Sequence, residues 1–175
     1  MPYDPTMYQG SAAYYACGRP PYSRALAKTL VAEVGLDSSG RLLDIGCGPG
    51  VLAIELADCF AEVIGLDPDT EMLAEGARRA AEGKIDHIRW VQALAEDLPG
   101  FDLGKFQLVT FGQSFHWIER ERVAETVYEF LEPGGALAVI THAHEGRPQP
   151  TGPEYPLIPH DAIRALINQG ALGDC

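Results

Sequence analysis

Residues 41–50 read Arg-Leu-Leu-Asp-Ile-Gly-Cys-Gly-Pro-Gly, an apolar run that opens into three alternating glycines. The apolar run predicts a buried strand, and the glycines predict a tight turn where the backbone can approach a ligand because no Cβ intervenes. Apolar residues at helical spacing follow, so we expect the N-terminus of that helix to offer N–H groups to an anion such as a carboxylate. The spacing is GxGxG; Val51 stands where the dinucleotide fingerprint GxGxxG has its third glycine.

Strands and helices alternate downstream of this loop. Further strands are predicted at 62–67, 88–91, 106–111 and 136–141. Between them we predict a helix over 70–81 with Met72, Leu73 and Ala77 facing inward, and a later one that includes Leu131, before a turn at 133–135. This alternation is typical of βαβ units, so the fold class is α/β. We expect a Rossmann-like, doubly wound parallel sheet in the order 3-2-1-4-5 within a three-layer αβα sandwich.

Length and charge limit the class of protein. The 175 residues suit one globular domain, and 13 Lys and Arg against 25 Asp and Glu give a net charge of −12. Such a charge disfavours nucleic acid and anionic membranes as partners. The chain has no apolar run of about 20 residues and no signal-peptide pattern, and its four cysteines lack zinc-type spacing. We therefore expect a cytoplasmic protein. His142 and His144 have no third ligand at metal spacing, so no metal site is predicted.

An acidic residue ends the second predicted strand. Asp67 follows Gly46 by 21 residues, at the offset where a carboxylate accepts hydrogen bonds from a ribose diol. Taken alone, the glycine loop could be only a tight turn. Taken alone, Asp67 could be only a helix cap or turn residue before Pro68. The loop and the acid together are more specific than either.

These motifs resemble those of the class I S-adenosylmethionine-dependent methyltransferases, in particular a small-molecule branch. The similarity covers about residues 20–142 and lies in residues 42–50, 65–68, 95–99, 112–117 and 131–135. It implies S-adenosylmethionine as cofactor, with Asp44, Gly46 and Gly48 at its methionine part and Asp67 at its ribose. It also implies Ala95 and Glu96 at the adenine edge, Pro68 or Met72 on the adenine face, and Cys47, Gly50 and Gln113 as further cofactor-binding residues.

Two departures from the family pattern concern adenine recognition and the C-terminus. Ala93 and Leu94 stand where many relatives carry an acidic residue near the adenine. Relatives also continue with two more strands, for which nothing after the predicted helix at 159–169 is long enough. We therefore expect the methyltransferase domain, 23–175, to be cut short. The bare edge of strand five would then be covered by a homodimer or by the C-terminal tail, unless the chain is a fragment.

The acceptor side is predicted from the end of strand four and from the N-terminal segment. His116 could act as a base and Trp117 could orient a substrate, with structural roles as the alternatives. Segment 1–22, rich in Tyr, Pro and Gly, is read as a lid or a surface strap, with Tyr14 or Tyr15 closing the pocket. Tyr15, His116 and Trp117 are the predicted catalytic set.

The predicted function is methyl transfer to a small-molecule acceptor by in-line displacement. A catalytically inactive cofactor-binding module is the alternative of a different class. A nucleotide-cofactor oxidoreductase is disfavoured by Val51.

Overall fold

The computed structural model describes residues 10–12, 14–15, 22 and 24–141. Its elements follow one another as α1 (Arg24–Val34), β1 (Arg41–Ile45), α2 (Val51–Leu56), β2 (Glu62–Asp67), α3 (Thr70–Glu82), β3 (Ile88–Gln92), β4 (Phe106–Gly112), α4 (Arg120–Phe130) and β5 (Leu131–Ile140). Short 3-10 helices lie at Ala57–Cys59, Ala95–Gly100 and Phe115–Trp117. The predicted helix at 159–169 and the pair His142 and His144 lie outside the described residues.

The five strands form one sheet in the order β3-β2-β1-β4-β5, and every described neighbour pair is parallel. This confirms the predicted topology. β1 lies at the centre, where Asp44 is in register with Gly65 of β2 and Thr110 of β4. Because parallel strands point the same way, the segments that follow β1, β2 and β4 meet at one edge of the sheet.

Side chains alternate between the two faces of the sheet and define two cores. Leu42 and Leu108 pack with the helices α1 and α2 on one face, and α3 lies on that face too, since Gly76 contacts Trp90. Leu43 and Val109 pack with α4 on the other face. The three-layer sandwich is therefore confirmed.

In helix α3, the residues that face inward differ in part from the predicted ones. Met72 and Leu73 are buried as predicted, but Ala77 is exposed, and Gly76 and Ala80 take the inward positions. Residues four apart share a helix face, so the stripe that starts at Met72 continues through Gly76 to Ala80. A glycine gives no apolar signal, and the sequence pattern therefore pointed to its neighbour.

The predicted boundary between the last helix and strand five is also wrong. α4 ends at Phe130, and β5 begins at Leu131, which pairs with Phe106 across an irregular register. Regular pairing with β4 starts only at Ala136, as predicted, and Gly134 has a φ of 85°, so the glycines at 134 and 135 form an irregular, turn-like part of the strand. Sheet pairing with β4 overrides the apolar pattern that assigned Leu131 to the helix.

None of the helices in the described part of the chain has the length and apolar character needed to cross a bilayer.

Candidate functional site

A cavity of about 1000 Å³ opens at the carboxyl ends of β1, β2 and β4. Predicted site residues form much of its wall: Tyr15, Asp44, Gly46, Cys47, Gly48, Asp67, Pro68, Met72, Ala95, Glu96, Gln113 and Trp117. These residues come from five segments that are distant in the chain, and the fold brings them together. Two predicted residues, Gly50 and His116, are not among the lining residues of the described chain.

The glycine loop uses its own N–H groups to hold its shape. Those of Gly46 and Cys47 donate to Leu66 O at 2.8 and 3.1 Å, and that of Gly50 donates to Cys47 O at 3.0 Å. The N–H of Gly48 donates to Asp67 Oδ2 at 2.8 Å. The loop is therefore a closed turn tied to β2, and its N–H groups are committed within the protein.

Gly48 and Gly50 need to be glycine for different reasons, although both have positive φ. A Cβ on Gly48 would meet no described atom within 4 Å, so this part of the cavity wall leaves room for a ligand beside the backbone. A Cβ on Gly50 would lie 2.4 Å from the ring of Trp90. Gly50 therefore serves packing beneath the loop, and its predicted contact with a cofactor has no support from the geometry.

Asp67 connects the glycine loop to the start of α3. Its Oδ2 accepts from Gly48, and its Oδ1 accepts from the N–H of Asp69 at 2.9 Å. Burial raises the pKa of this carboxyl, and the two N–H donors act against that rise. The helix-capping role falls to Asp69, which accepts from the N–H groups of Glu71 and Met72. Asp67 therefore faces the cavity without being the cap of α3.

Asp44 carries an oxygen that the fold leaves unpartnered. The side chain is 1% exposed, and the hydroxyl of Thr110 donates to its Oδ1 at 2.7 Å. Oδ2 is buried and has no hydrogen-bond partner among the described residues. Burial raises the pKa of Asp44 to about 7, and the nearby Asp67 adds to the rise. A cationic donor in the cavity would satisfy this oxygen and favour the ionised form.

The end of β4 lies against the glycine loop. Ser114 Oγ donates to Ile45 O at 2.6 Å, and a Cβ on Gly46 would lie 2.4 Å from the Cβ of Ser114. Beside it, Gln113 has a φ of 60°, unusual for a residue with a side chain, and its N–H donates to Ile140 O. Gln113 Nε2 is buried without a partner in the described structure. Gln113 is therefore a second lining residue with a buried polar atom that no described group satisfies.

A family model described as methyltransferase domain matches residues 42–135. This chain belongs to that family. Its cofactor is S-adenosylmethionine, and the open space at Gly48 and the unpartnered Asp44 oxygen fit a cationic ligand of this kind.

Named relatives and a solved structure agree with the family. A probable S-adenosylmethionine-dependent methyltransferase of Saccharomyces cerevisiae, CRG1, is 30% identical over 73% of this chain and 44% of its own length. A malonyl-[acyl-carrier protein] O-methyltransferase of Enterobacter lignolyticus is 33% identical over 83% of this chain and 58% of its own. The structure of the CcbJ methyltransferase from Streptomyces caelestis superposes with a TM-score of 0.61 at 26% identity, over 78% of this chain and 58% of that one. The chain thus spans about half the length of the curated relatives it matches.

On the predicted adenine side, the methyltransferase places Pro68, Met72, Ala95 and Glu96 along the cavity. Part of the Glu96 carboxylate is already used, because its Oε1 accepts from the N–H of Glu119 at 2.9 Å. This bond joins the 3-10 helix after β3 to the start of α4. The second oxygen of Glu96 is left for a ligand, so its predicted adenine contact stays a prediction.

The structure separates the predicted acceptor residues of the methyltransferase. Trp117, 44% exposed, and Tyr15 line the cavity, whereas Tyr14 is 81% exposed and does not. His116 is exposed, its ring centroid 4.9 Å from that of Trp117, and it is not among the residues that line the described cavity. Both lie in the 3-10 helix Phe115–Trp117, where successive side chains project about 120° apart.

Some lining residues were missed from the sequence. Tyr22 is 6% exposed and lines the cavity near Gly112. Glu119 and Arg122 belong to a charged run that is typical of a solvated helix start, and they are exposed, but they also form the cavity rim. Arg122 Nη1 lies 3.2 Å from Glu119 Oε2. Only the turn that brings α4 over the end of β4 makes these charges part of the site.

Proposed function

We propose that this methyltransferase transfers the methyl group of S-adenosylmethionine to a small-molecule acceptor by in-line displacement. The observation that carries the proposal is one continuous cavity whose wall includes both the predicted cofactor residues and an aromatic group at the end of β4. Its volume of about 1000 Å³ is at the upper end for small-molecule sites. Such a volume supports a cofactor and an acceptor side by side.

The cofactor half of the proposal assigns a separate task to each polar group. Asp67 would accept the ribose hydroxyls with the lone pairs left by Gly48 and Asp69. Asp44 Oδ2 would accept from the cationic methionine part, and Gln113 Nε2 would donate to an oxygen nearby. These roles are supported by the position of each residue on the cavity wall.

The acceptor half of the proposal rests on Tyr15, Tyr22 and Trp117. The cofactor supplies an electrophilic methyl group, so the chain's residues mainly have to align the acceptor and exclude water. Aromatic walls suit this task because they bury apolar surface and restrict the orientation of a bound molecule. Segment 1–22 would act as the lid; within it, the N–H of Gly10 donates to Glu71 of α3 at 2.7 Å.

The remaining predictions are part of the same proposal. A small acceptor, rather than nucleic acid or membrane, agrees with the net charge of −12. The cytoplasmic location and a homodimer through the edge of β5 stay predictions from the sequence. Nothing in the comparisons favours the oxidoreductase or the inactive module, and the experiment below separates the latter from an enzyme.

We expect Trp117→Ala to lower turnover about tenfold with unchanged affinity for S-adenosylmethionine, because the ring would orient only the acceptor. His116→Ala should lower turnover less than about threefold, since His116 is exposed and does not line the described cavity. The assay is methyl transfer from labelled S-adenosylmethionine to a panel of carboxylic acids, phenols and amines. Oxygen acceptors come first in the panel because a relative is an O-methyltransferase.

The matched control is Tyr128→Ala, which removes an exposed aromatic residue of α4 that is not part of the described cavity wall. A loss of about 100-fold in His116→Ala would instead support a general base at that position. Binding of S-adenosylmethionine without turnover on any acceptor would favour the inactive module.

A further inference from the structure

Two side chains that do not line the described cavity hold the glycine loop from behind. Arg79 of α3 donates from Nη1 to Pro49 O at 2.7 Å, across 30 residues of sequence. Trp90 of β3 lies under Gly50. Neither residue belongs to the cavity wall, and no family motif quoted from the sequence includes them.

The bond from Arg79 completes the hydrogen bonding of the loop. The N–H groups of residues 46, 47, 48 and 50 already have acceptors, and Pro49 has no N–H. Pro49 O receives a charged donor from a part-buried side chain. Hydrogen bonds to charged groups are stronger than those between neutral groups, so this bond can fix the middle of the loop.

Trp90 fills a space that three glycines leave open. A Cβ on Gly50, on Gly65 of β2 or on Gly76 of α3 would lie 2.4, 2.8 or 2.8 Å from its ring. Glycines in three segments thus leave room for the indole of Trp90 to pack under the loop. The ring is a rigid support, whereas the loop above it has positive φ at Gly46, Gly48 and Gly50 and little conformational preference of its own.

We propose that Arg79 and Trp90 are positioning residues for cofactor binding, which keep the glycine loop in its bound shape before the cofactor arrives. The loop carries Gly48 in the cavity wall and, through the Gly48 N–H, fixes the carboxylate of Asp67. A loop that must be ordered during binding costs affinity, and a loop that is already held does not. The inference rests on the proposal that this cavity binds the cofactor.

The test compares two neighbouring arginines of α3. Arg79→Gln removes the donor to Pro49, whereas Arg78→Gln removes an exposed arginine that pairs with Glu75 and Glu82 on its own helix. Titration calorimetry with S-adenosylmethionine and S-adenosylhomocysteine should show about tenfold weaker binding for Arg79→Gln, equivalent to about 1.4 kcal/mol. Arg78→Gln should bind as the unchanged protein does, and Arg79→Lys should recover part of the loss.

A purely structural role would lower the melting temperature of Arg79→Gln and leave the affinity of the folded protein unchanged. A second readout follows the loop directly. The chain has two tryptophans, so in a Trp117→Phe background the emission reports Trp90 alone. We expect Arg79→Gln to make this emission easier to quench with acrylamide, and S-adenosylmethionine to reverse the change.

Unchanged affinity in Arg79→Gln would overturn the inference, whether or not the quenching of Trp90 changes. Equal losses of affinity in Arg78→Gln and Arg79→Gln would also overturn it, because the effect would then follow the charge of α3 and not the bond to the loop. If the unchanged protein fails to bind either ligand, the proposed cofactor site itself is wrong, which is a different result.

Discussion

The two halves of the cavity are built in opposite ways. In the cofactor half, the N–H groups of the glycine loop, Asp67 and Ser114 are all hydrogen-bonded, and the loop lies on Trp90 and Arg79. In the acceptor half, Trp117 is nearly half exposed, and Tyr15 comes from the N-terminal segment and not from the sheet. The first half is held in shape by buried contacts, whereas the second combines the buried Tyr22 with the more exposed Tyr15 and Trp117.

This difference indicates which half of the cavity can change to accept a different ligand. Every class I relative has to bind the same cofactor, so a rigid wall held by hydrogen bonds and packing suits that half. Acceptors differ from one enzyme to another, and residues on turns and at the chain termini can change without disturbing the sheet. We therefore expect substitutions in the cofactor half to affect binding and stability, and substitutions in the acceptor half to affect turnover.

The largest expected effect is on cofactor binding in Asp67→Ala. The change removes the proposed ribose acceptor and leaves the N–H of Gly48 unpaired. Affinity for S-adenosylmethionine should fall by about 1.5–3 kcal/mol, or roughly 10- to 150-fold. Asp86→Ala is the control, because it removes an equal charge from a fully exposed side chain. An unchanged dissociation constant in Asp67→Ala would refute the ribose assignment.

The next largest expected effect is a loss of protein stability in Gly76→Ala, which changes the packing beneath the loop. Replacing glycine by alanine inside a helix usually stabilises it by about 1 kcal/mol. Here the new Cβ would lie 2.8 Å from the Trp90 ring and 3.3 Å from the carbonyl carbon of Pro49, so we expect a loss of about 1–3 kcal/mol. The free energy of unfolding in urea measures it.

Gly83→Ala is the matched control for this overpacking, since it lies at the end of the same helix and a Cβ there would meet only ordinary contacts at 3.5 Å. Stabilisation of the protein by Gly76→Ala would show that the space under the loop is less filled than the structure indicates.

The smallest expected effect is the release of protons from Asp44 when the cofactor binds. The pKa of Asp44 is raised to about 7 by burial, so at pH 7 about half of the sites carry a proton. A cationic ligand on Oδ2 favours the carboxylate, so binding should release roughly half a proton. Calorimetry in buffers of different ionisation enthalpy measures this release, and Asp44→Asn should abolish it. Release that persists in Asp44→Asn would assign the proton to another group.

The same shift predicts how stability depends on pH. Because the pKa of Asp44 is higher in the folded protein than in an unfolded chain, folding favours the protonated form. This contribution is fully present below about pH 4 and is lost as the pH rises through about 7. The free energy of unfolding should therefore fall less between pH 5 and pH 8 in Asp44→Asn than in the unchanged protein.

Much of the fold and of the cofactor half could be predicted from the sequence. Strand order, the central place of β1 and the positions of Asp44 and Asp67 follow from apolar runs that alternate with helices and end in glycines or acids. The errors at Ala77 and Leu131 have one cause, which is that neighbouring elements decide which residues of a pattern face inward. The acceptor half was predicted less well, because the direction of His116 and Trp117 depends on a single short turn.

The sequence by itself determined the parallel sheet, the glycine turn and the acid that follows it, because these depend on local hydrophobic periodicity and on which residues tolerate positive φ. The tertiary structure alone decided that the N–H groups of the loop bond within the protein, that Asp44 keeps an unpartnered oxygen, and that Arg79 and Trp90 support the loop. Each of these depends on distances between segments far apart in the chain. Such distances are set by how the helices pack on the sheet, which no local pattern of residues encodes.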